Sequence, residues 1–339
     1  MRVRTRFPKV LIVLSLFRML TPFSFGGETA RADQEQEKPP TGLIAVLSSG
    51  GKLLAQYRSD GRIQLWDVSG RRLLRELEGK HLAIMALAFG PGGKELAEAG
   101  VIGELTFWDV STGKQTGIIE NIKGLVSTMA YSPDGSAVAL GFADGTLRTW
   151  SVASGHELQA FVGHTQQVSA LSFSPNGRWL ASGSWDKTVC LWEVATAKRL
   201  LSLTGHVGWV QALDFTADNK RLASGGFEGI TNIWELPSGK NLFALPNQHL
   251  GPAMAVNGVS FSPDGENLAV IGLGGEGGLW DAASGRKTRV LSHISAQASK
   301  VSFSADTKQL IVVGPDGHVQ VLNPRTGEEV FNFSAMPLN

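Results

Sequence analysis

Cysteine is nearly absent: Cys190 is the only one in a chain of 339 residues. A lone thiol closes no intrachain disulfide, so the fold must stand on packing and backbone pairing. The same count excludes a C-x-x-C-H haem attachment and a cysteine-rich zinc site. It also leaves no N-terminal cysteine that could carry a lipid after processing. Charge of one sign is missing too, with 31 Lys and Arg against 30 Asp and Glu. Nucleic-acid binders carry a clustered basic footprint, which this balance does not supply. Nowhere does an apolar run approach the ~20 residues that span a bilayer. Neither a G-x-S-x-G nucleophile turn nor an H-E-x-x-H zinc helix occurs, and no catalytic residue or cofactor is read from the chain.

The N-terminus stands apart from the rest. Arg2, Arg4, Arg6 and Lys9 precede a short apolar stretch at 10–17 (VLIVLSLF), and Ala30-Arg31-Ala32 offers an A-x-A site. This pattern reads as a secretory signal peptide over 1–32, cleaved after Ala32, which places the mature chain in the periplasm or outside the cell. A retained anchor and a disordered cytosolic tail are the competing readings; Arg18 and Pro22 interrupt the apolar stretch an anchor would need. Residues 1–32 hold six of the basic residues and one acid, so the mature chain carries 25 basic and 29 acidic residues, net −4. Residues 33–40 (DQEQEKPP) read as a flexible leader.

What the chain does have is a ladder. Trp66, Trp108, Trp150, Trp192, Trp234 and Trp280 are spaced by 42, 42, 42, 42 and 46 residues, and a further 42 reaches Leu322. A fixed period of this size marks a repeat architecture. Gly51, Gly93, Gly135, Gly177, Asn219, Gly265 and Thr307 keep the same step, at positions expected to need φ > 0. A second marker runs through Gly70, Gly113, Gly155, Ala197, Gly239, Gly285 and Gly327. In the copy at 163–203, four short strands at 168–173, 179–182, 189–194 and 199–203 alternate with Ser-Pro-Asn-Gly and Trp-Asp-Lys turns. Four antiparallel strands per period make a propeller blade. The fold class expected is all-β, a seven-bladed β-propeller over 41–335, with blades ending near 77, 119, 161, 203, 245, 291 and 334. Strands at 43–47 and 330–333 complete the first and last blades. Closure is therefore expected without strand exchange, with a first-to-last seam that rests on side-chain packing and is the weakest.

Gly163-His164, Gly205-His206, the Ser-Pro-Asp-Gly turns at 132–135 and 262–265, and Trp66-Asp67, Trp108-Asp109 and Trp280-Asp281 together resemble the WD40-repeat family from about residue 41 onward. The resemblance implies a buried structural tetrad in blade four, formed by His164, Ser182, Asp186 and Trp192. Blade five has His206, Ser224 and Trp234 but carries Glu228 in place of the Asp. Gln56, Leu140 and Val270 stand at the Ser position of other blades, and Ile102 and Gly274 at the Asp position. Blade four is accordingly expected to be the most rigid.

The resemblance also says which residues edge the loop-bearing face. One set is Ser59, Val101, Ala143, Trp185, Phe227, Leu273 and Pro315; the other is Ala83, Leu125, Gln167, Trp209, Ala255 and Gln297. Trp185, Trp209 and Phe227 therefore cluster on blades four and five, beside Gln167 and Lys187. Padding between loops is the bland reading; a binding patch for a partner protein or peptide is the preferred one. The four extra residues of the 46-residue step fall within 246–258, beside this cluster. The chain is read as a non-catalytic interaction scaffold, a monomer that binds neither metal nor nucleic acid. The alternative is a small-ligand-binding or hydrolytic site at the mouth of the central channel, where the second set offers no ionisable side chain. The histidines at 81, 164, 206, 249 and 293 are spread around a ring, so they do not converge on a metal. Residues 272–277 match G-x-G-x-x-G but lie between two strands, which makes them a hairpin. Cys190 is expected to be a small buried hydrophobe, and the Asn332-Phe333-Ser334 sequon a chance triplet.

Overall fold

The structure is a computed structural model that describes residues 44–58, 60–79, 83–246, 255–275, 277–291 and 294–335. It contains seven four-stranded sheets, each made from consecutive antiparallel strands. Blade one is β1 (Ala45–Leu47), β2 (Leu53–Tyr57), β3 (Ile63–Asp67) and β4 (Arg72–Leu77). Blade two is β5 (Ile84–Phe89), β6 (Glu95–Gly100), β7 (Leu105–Asp109) and β8 (Gln115–Ile119). Blade three is β9 (Val126–Tyr131), β10 (Ala137–Phe142), β11 (Leu147–Ser151) and β12 (Glu157–Phe161). Blade four is β13 (Val168–Phe173), β14 (Trp179–Ser184), β15 (Val189–Glu193) and β16 (Arg199–Leu203). Blade five is β17 (Val210–Phe215), β18 (Arg221–Gly226), β19 (Ile230–Glu235) and β20 (Asn241–Pro246). Blade six is β21 (Val256–Phe261), β22 (Asn267–Gly272), β23 (Gly277–Asp281) and β24 (Lys287–Leu291). Blade seven is β25 (Lys300–Phe303), β26 (Leu310–Val313), β27 (His318–Leu322) and β28 (Glu329–Ser334). The first strand of each blade touches the first strand of the next, and β1 meets β25, which closes the ring without strand exchange.

Burial explains the composition of each strand. Blades pack face to face, so their second and third strands are covered on both sides and are mostly small or apolar, with buried polar exceptions such as Gln56 and Glu98. β10 is buried at every position, whereas the outermost β16 is exposed or half-buried until its last residue. Ala55, Ala97, Ala139, Ala181, Ala223 and Ala269 occupy one equivalent position and are wholly buried. Blades one to six thus place a methyl group there, and blade seven places the buried Ile311. The tryptophan ladder is buried once per blade, with Leu322 taking its place in blade seven. All seven residues of the first turn marker have positive φ, from 60° at Thr307 to 75° at Gly135. The second marker needs one correction. In blade one the left-handed residue is Arg71 (φ 52°) and not Gly70, which restores the 42-residue step to Gly113.

A recurrent β-bulge was not visible in the sequence. In blades two to six the pairing of the first and second strands slips by one residue near the start of the first strand. The extra residue leaves the ladder, and in blades three, four and six it turns toward the next blade. Ser127 Oγ donates to Val168 O (2.5 Å), Ser169 Oγ to Val210 O (2.5 Å), and Asn257 Nδ2 to Ala298 O (3.2 Å). These seams are therefore stitched as well as packed. The closing seam is built from Leu54, Trp66, Ile311, Val313, Val321 and Ala335, with Phe331 and Phe333 packed on them. Arg71 lies over the Phe331 ring at 4.2 Å, and Trp66 meets Phe333 with centroids 6.0 Å apart.

Candidate interaction surface

Backbone pairing brings the two rim sets together. Trp185 N donates to Gln167 O (2.9 Å) and Phe227 N to Trp209 O (2.7 Å). Val101, Ala143 and Leu273 donate in the same way to Ala83, Leu125 and Ala255. The turn after each second strand is thus tied to the residue that enters the first strand. Ser59 lies outside the described residues, and Pro315 has no N–H to donate.

On blades four and five this frame stacks three aromatics. Trp185 and Trp209 lie nearly parallel, 10° apart with centroids at 4.3 Å, and Phe227 meets Trp209 at 5.2 Å and 44°. Each is half-buried, as is Gln167, while Lys187 is exposed. Trp209 is packed by both Trp185 and Phe227, so part of the padding role holds, and each ring stays partly exposed to solvent. Lys187 has φ 72°, whereas the equivalent position in the other six blades is a positive-φ glycine. A bulky residue held in that region costs roughly 1–3 kcal/mol and tends to cluster with functional surfaces.

Beneath the stack lie two complete polar networks. In blade four, His164 Nδ1 is 2.8 Å from Asp186 Oδ2 and His164 Nε2 is 2.7 Å from Ser182 Oγ, which accepts Trp192 Nε1–H at 2.8 Å. Burial alone would raise the Asp186 pKa. Hydrogen bonds from Thr188 and Thr165 and the adjacent His164 outweigh it and leave the carboxyl lowered. In blade five, Glu228 completes the set that its extra methylene had put in doubt. His206 Nδ1 lies 2.6 Å from Glu228 Oε1 and His206 Nε2 2.7 Å from Ser224 Oγ, with Trp234 Nε1 donating to Ser224 at 2.8 Å. Gly208 and Gly226 make the room: a Cβ on either would fall 2.6 Å or less from Glu228 Oε2. Gln166 and Ser184 hold the equivalent places in blade four. Burial pushes the Glu228 pKa up, but the His206 bond and the Gly208 N–H leave it lowered overall.

These networks reach the rim directly. Asp186 follows Trp185, Glu228 follows Phe227, and Gly208, whose N–H is held by Glu228, precedes Trp209. The three anchors are therefore carried by the turns that the buried acids fix. Elsewhere the set differs. Blade two, unnoticed in the sequence, puts the fully buried Glu98 in the serine place, where Oε2 accepts Trp108 Nε1–H at 3.0 Å. In blade one Gln56 stands there, and Trp66 Nε1 is buried with no partner among the described residues.

Three successive segments, 113–151, 155–193 and 197–235, match the family model of the WD domain, G-beta repeat. Residues 113–235 carry WD40 repeats, set in a ring of seven four-stranded blades. The second and third of those segments contain the blade-four and blade-five networks. Comparison with curated proteins returned no match. Cys190 is buried in β15, and burial raises its thiol pKa. The 272–277 turn joins β22 to β23, with no helix after it. No group of three metal-ligating side chains gathers among the described residues. His81, His249 and His293 lie outside them, as do residues 1–43 and the middle of the 246–258 loop.

The axis holds what the rim lacks. On the seven innermost strands, Asp214 and Lys300 are the Asp, Glu, Lys, Arg or His residues present. Lys300 is exposed to solvent yet deep enough that desolvation lowers its pKa. Burial raises the Asp214 pKa to about 7, against hydrogen bonds from Phe261 N (2.7 Å) and Phe215 N. The unfolded carboxyl titrates near 4, so between pH ~4 and ~7 the folded state keeps a proton that the unfolded state has lost. Asp214 therefore makes stability fall as pH rises through that window. The full shift corresponds to about 4 kcal/mol, and half-burial discounts it to roughly 2 kcal/mol. Equivalent positions carry Ser172, Ser260 and Ser302, so Asp214→Ser is the natural control. Chemical denaturation from pH 4 to 8 should show this slope in the parent chain and lose it in the variant; an unchanged slope would assign it to other groups.

Proposed function

We propose that this WD40 propeller is an exported, non-catalytic docking module that holds a protein or peptide on its loop-bearing face. WD40 propellers are in general protein-interaction scaffolds. The observation that carries the finer reading is the Trp185–Trp209–Phe227 stack, half-open to solvent on turns fixed by two buried networks. Rigid aromatic anchors lose little conformational entropy on binding, which is where association gains most. Gln167 and Lys187 supply polar contacts at the edge. Val207, 71 % exposed, extends the apolar surface on blade five.

A second reading, a small-ligand or hydrolytic site in the channel, finds its ionisable groups on the innermost strands in Asp214 and Lys300. No hydrogen bond or ion pair joins Asp214 to Lys300 and neither shifts the other's pKa, so no nucleophile–base pair is in place and docking is favoured. The balance of 25 basic and 29 acidic residues after residue 32 speaks for a protein partner over nucleic acid. Among the described residues no helix is long and apolar enough to cross a membrane. Affinity capture from the native host, with the propeller as bait, tests docking: a stoichiometric protein partner supports it, and capture of none opposes it. Sequencing the N-terminus of the mature protein tests export, with Asp33 or a close neighbour expected as the first residue and an intact Met1 opposing it.

A further inference from the structure

Blade three departs from the blade-four network in a way that opens a cleft. Asn121-Ile122 stands in place of Gly163-His164, and Leu140 in place of Ser182. In blade four, Arg199 reaches from the outermost strand over Gly163 O (3.5 Å). The equivalent residue in blade three is the shorter Glu157, and the cation comes instead from Arg148 on β11. The result is an open cleft of about 300 Å³ between blades two and three.

The cleft is equipped with unspent polar groups over an apolar floor. The Arg148 guanidinium is held over the Phe142 ring at 4.2 Å, and its Nη2 donates to Lys123 O at 2.5 Å. Its Nη1 is 3.7 Å from Glu157 Oε2, too far for a hydrogen bond, so both groups keep capacity for another partner. Trp150 lines the cleft, and no hydrogen bond engages its Nε1–H among the described residues, with Leu140 standing where blades four and five offer Ser182 and Ser224. Ile119 and Ile122 add apolar walls. The charged lining, Glu120 and Glu157 against Lys123 and Arg148, sums to zero. A phosphate or dicarboxylate would face two acids there, and a simple cation two bases. A molecule that carries both charges a few ångströms apart fits both.

We propose that this cleft binds a free α-amino acid with an apolar side chain. The carboxylate takes Arg148 Nη1 and Trp150 Nε1–H, the ammonium takes Glu157, and the side chain lies on Ile119, Ile122 and Trp150. The size agrees, since ligand sites begin near 300 Å³. The site is independent of the aromatic stack, which lies on blades four and five.

Calorimetric titration with L-leucine and L-phenylalanine tests it, with N-acetyl-leucine and leucinamide as probes that lack one charge each. At least one of the two amino acids is expected to bind, with each blocked form at least tenfold weaker. Glu157→Gln, at a solvent-exposed site, should cost the free amino acid tenfold or more and remove its advantage over N-acetyl-leucine. Arg148→Lys should weaken it similarly, and an unchanged thermal midpoint in Glu157→Gln separates lost recognition from lost fold. Absence of binding at 20 mM for both amino acids would overturn the proposal. So would equal affinity for leucine and N-acetyl-leucine, or an unchanged affinity in Glu157→Gln.

Discussion

Ser182→Ala is expected to lower the unfolding free energy by about 3 kcal/mol, because one small hydroxyl serves two buried partners. Ser182 Oγ accepts the Trp192 N–H and meets His164 Nε2, and the site is wholly closed to water. Removing it strands both groups at ~1–3 kcal/mol each, while the methyl left behind recovers little packing. Trp192→Phe deletes one of the stranded donors, so in a double-mutant cycle the two substitutions should cost at least ~1 kcal/mol less together than the sum of each alone. Urea unfolding followed by tryptophan emission and by circular dichroism measures all four corners. Blade three provides the contrast. Leu140 has no histidine to serve, so an aliphatic residue is tolerated at the same address. A Ser182→Ala loss below ~0.5 kcal/mol would mean that water or rotation of His164 satisfies the network instead.

Much of this scaffold could be read from spacing. Trp66 through Trp280 and the turn glycines report the blade count because strand pairing forces the same residue type at the same address. What spacing could not report were local solutions that break the pattern. Glu228 departs from the aspartate of the family, and only the glycines at 208 and 226, 20 and 2 residues away, show that its longer arm fits. The bulges at Ser127, Ser169 and Asn257 interrupt a period-two pattern by a single residue, which in a short strand looks like noise. Asp214 and Glu98 sit in runs that otherwise read as core, and their tolerance depends on hydrogen-bond partners from other strands. The rim aromatics were legible as neighbours. That Trp185 and Trp209 lie within 10° of parallel was not, since stacking depends on how one blade is rotated against the next.

The second large effect concerns that stack. Trp185→Ala with Trp209→Ala is expected to weaken partner binding by at least ~100-fold, since buried aromatic anchors contribute ~2 kcal/mol or more each at interface centres. The stability cost should stay near ~1–2 kcal/mol, because the rings are half-exposed and an aromatic pair adds only ~0.5–1.5 kcal/mol beyond its area. The His164 and His206 networks lie below and make no hydrogen bond through either indole, so the turns should keep their shape. Leu158→Ser and Leu200→Ser, on the exposed outer strands β12 and β16, serve as controls that remove apolar surface elsewhere.

The most direct measurement is the affinity of the captured partner for the parent propeller and for the Trp185→Ala/Trp209→Ala variant, with thermal unfolding recorded on both. Docking on the stack predicts that binding is lost while the unfolding midpoint moves by only a few degrees. Undiminished binding by the folded variant, or unfolding of the variant itself, would contradict it.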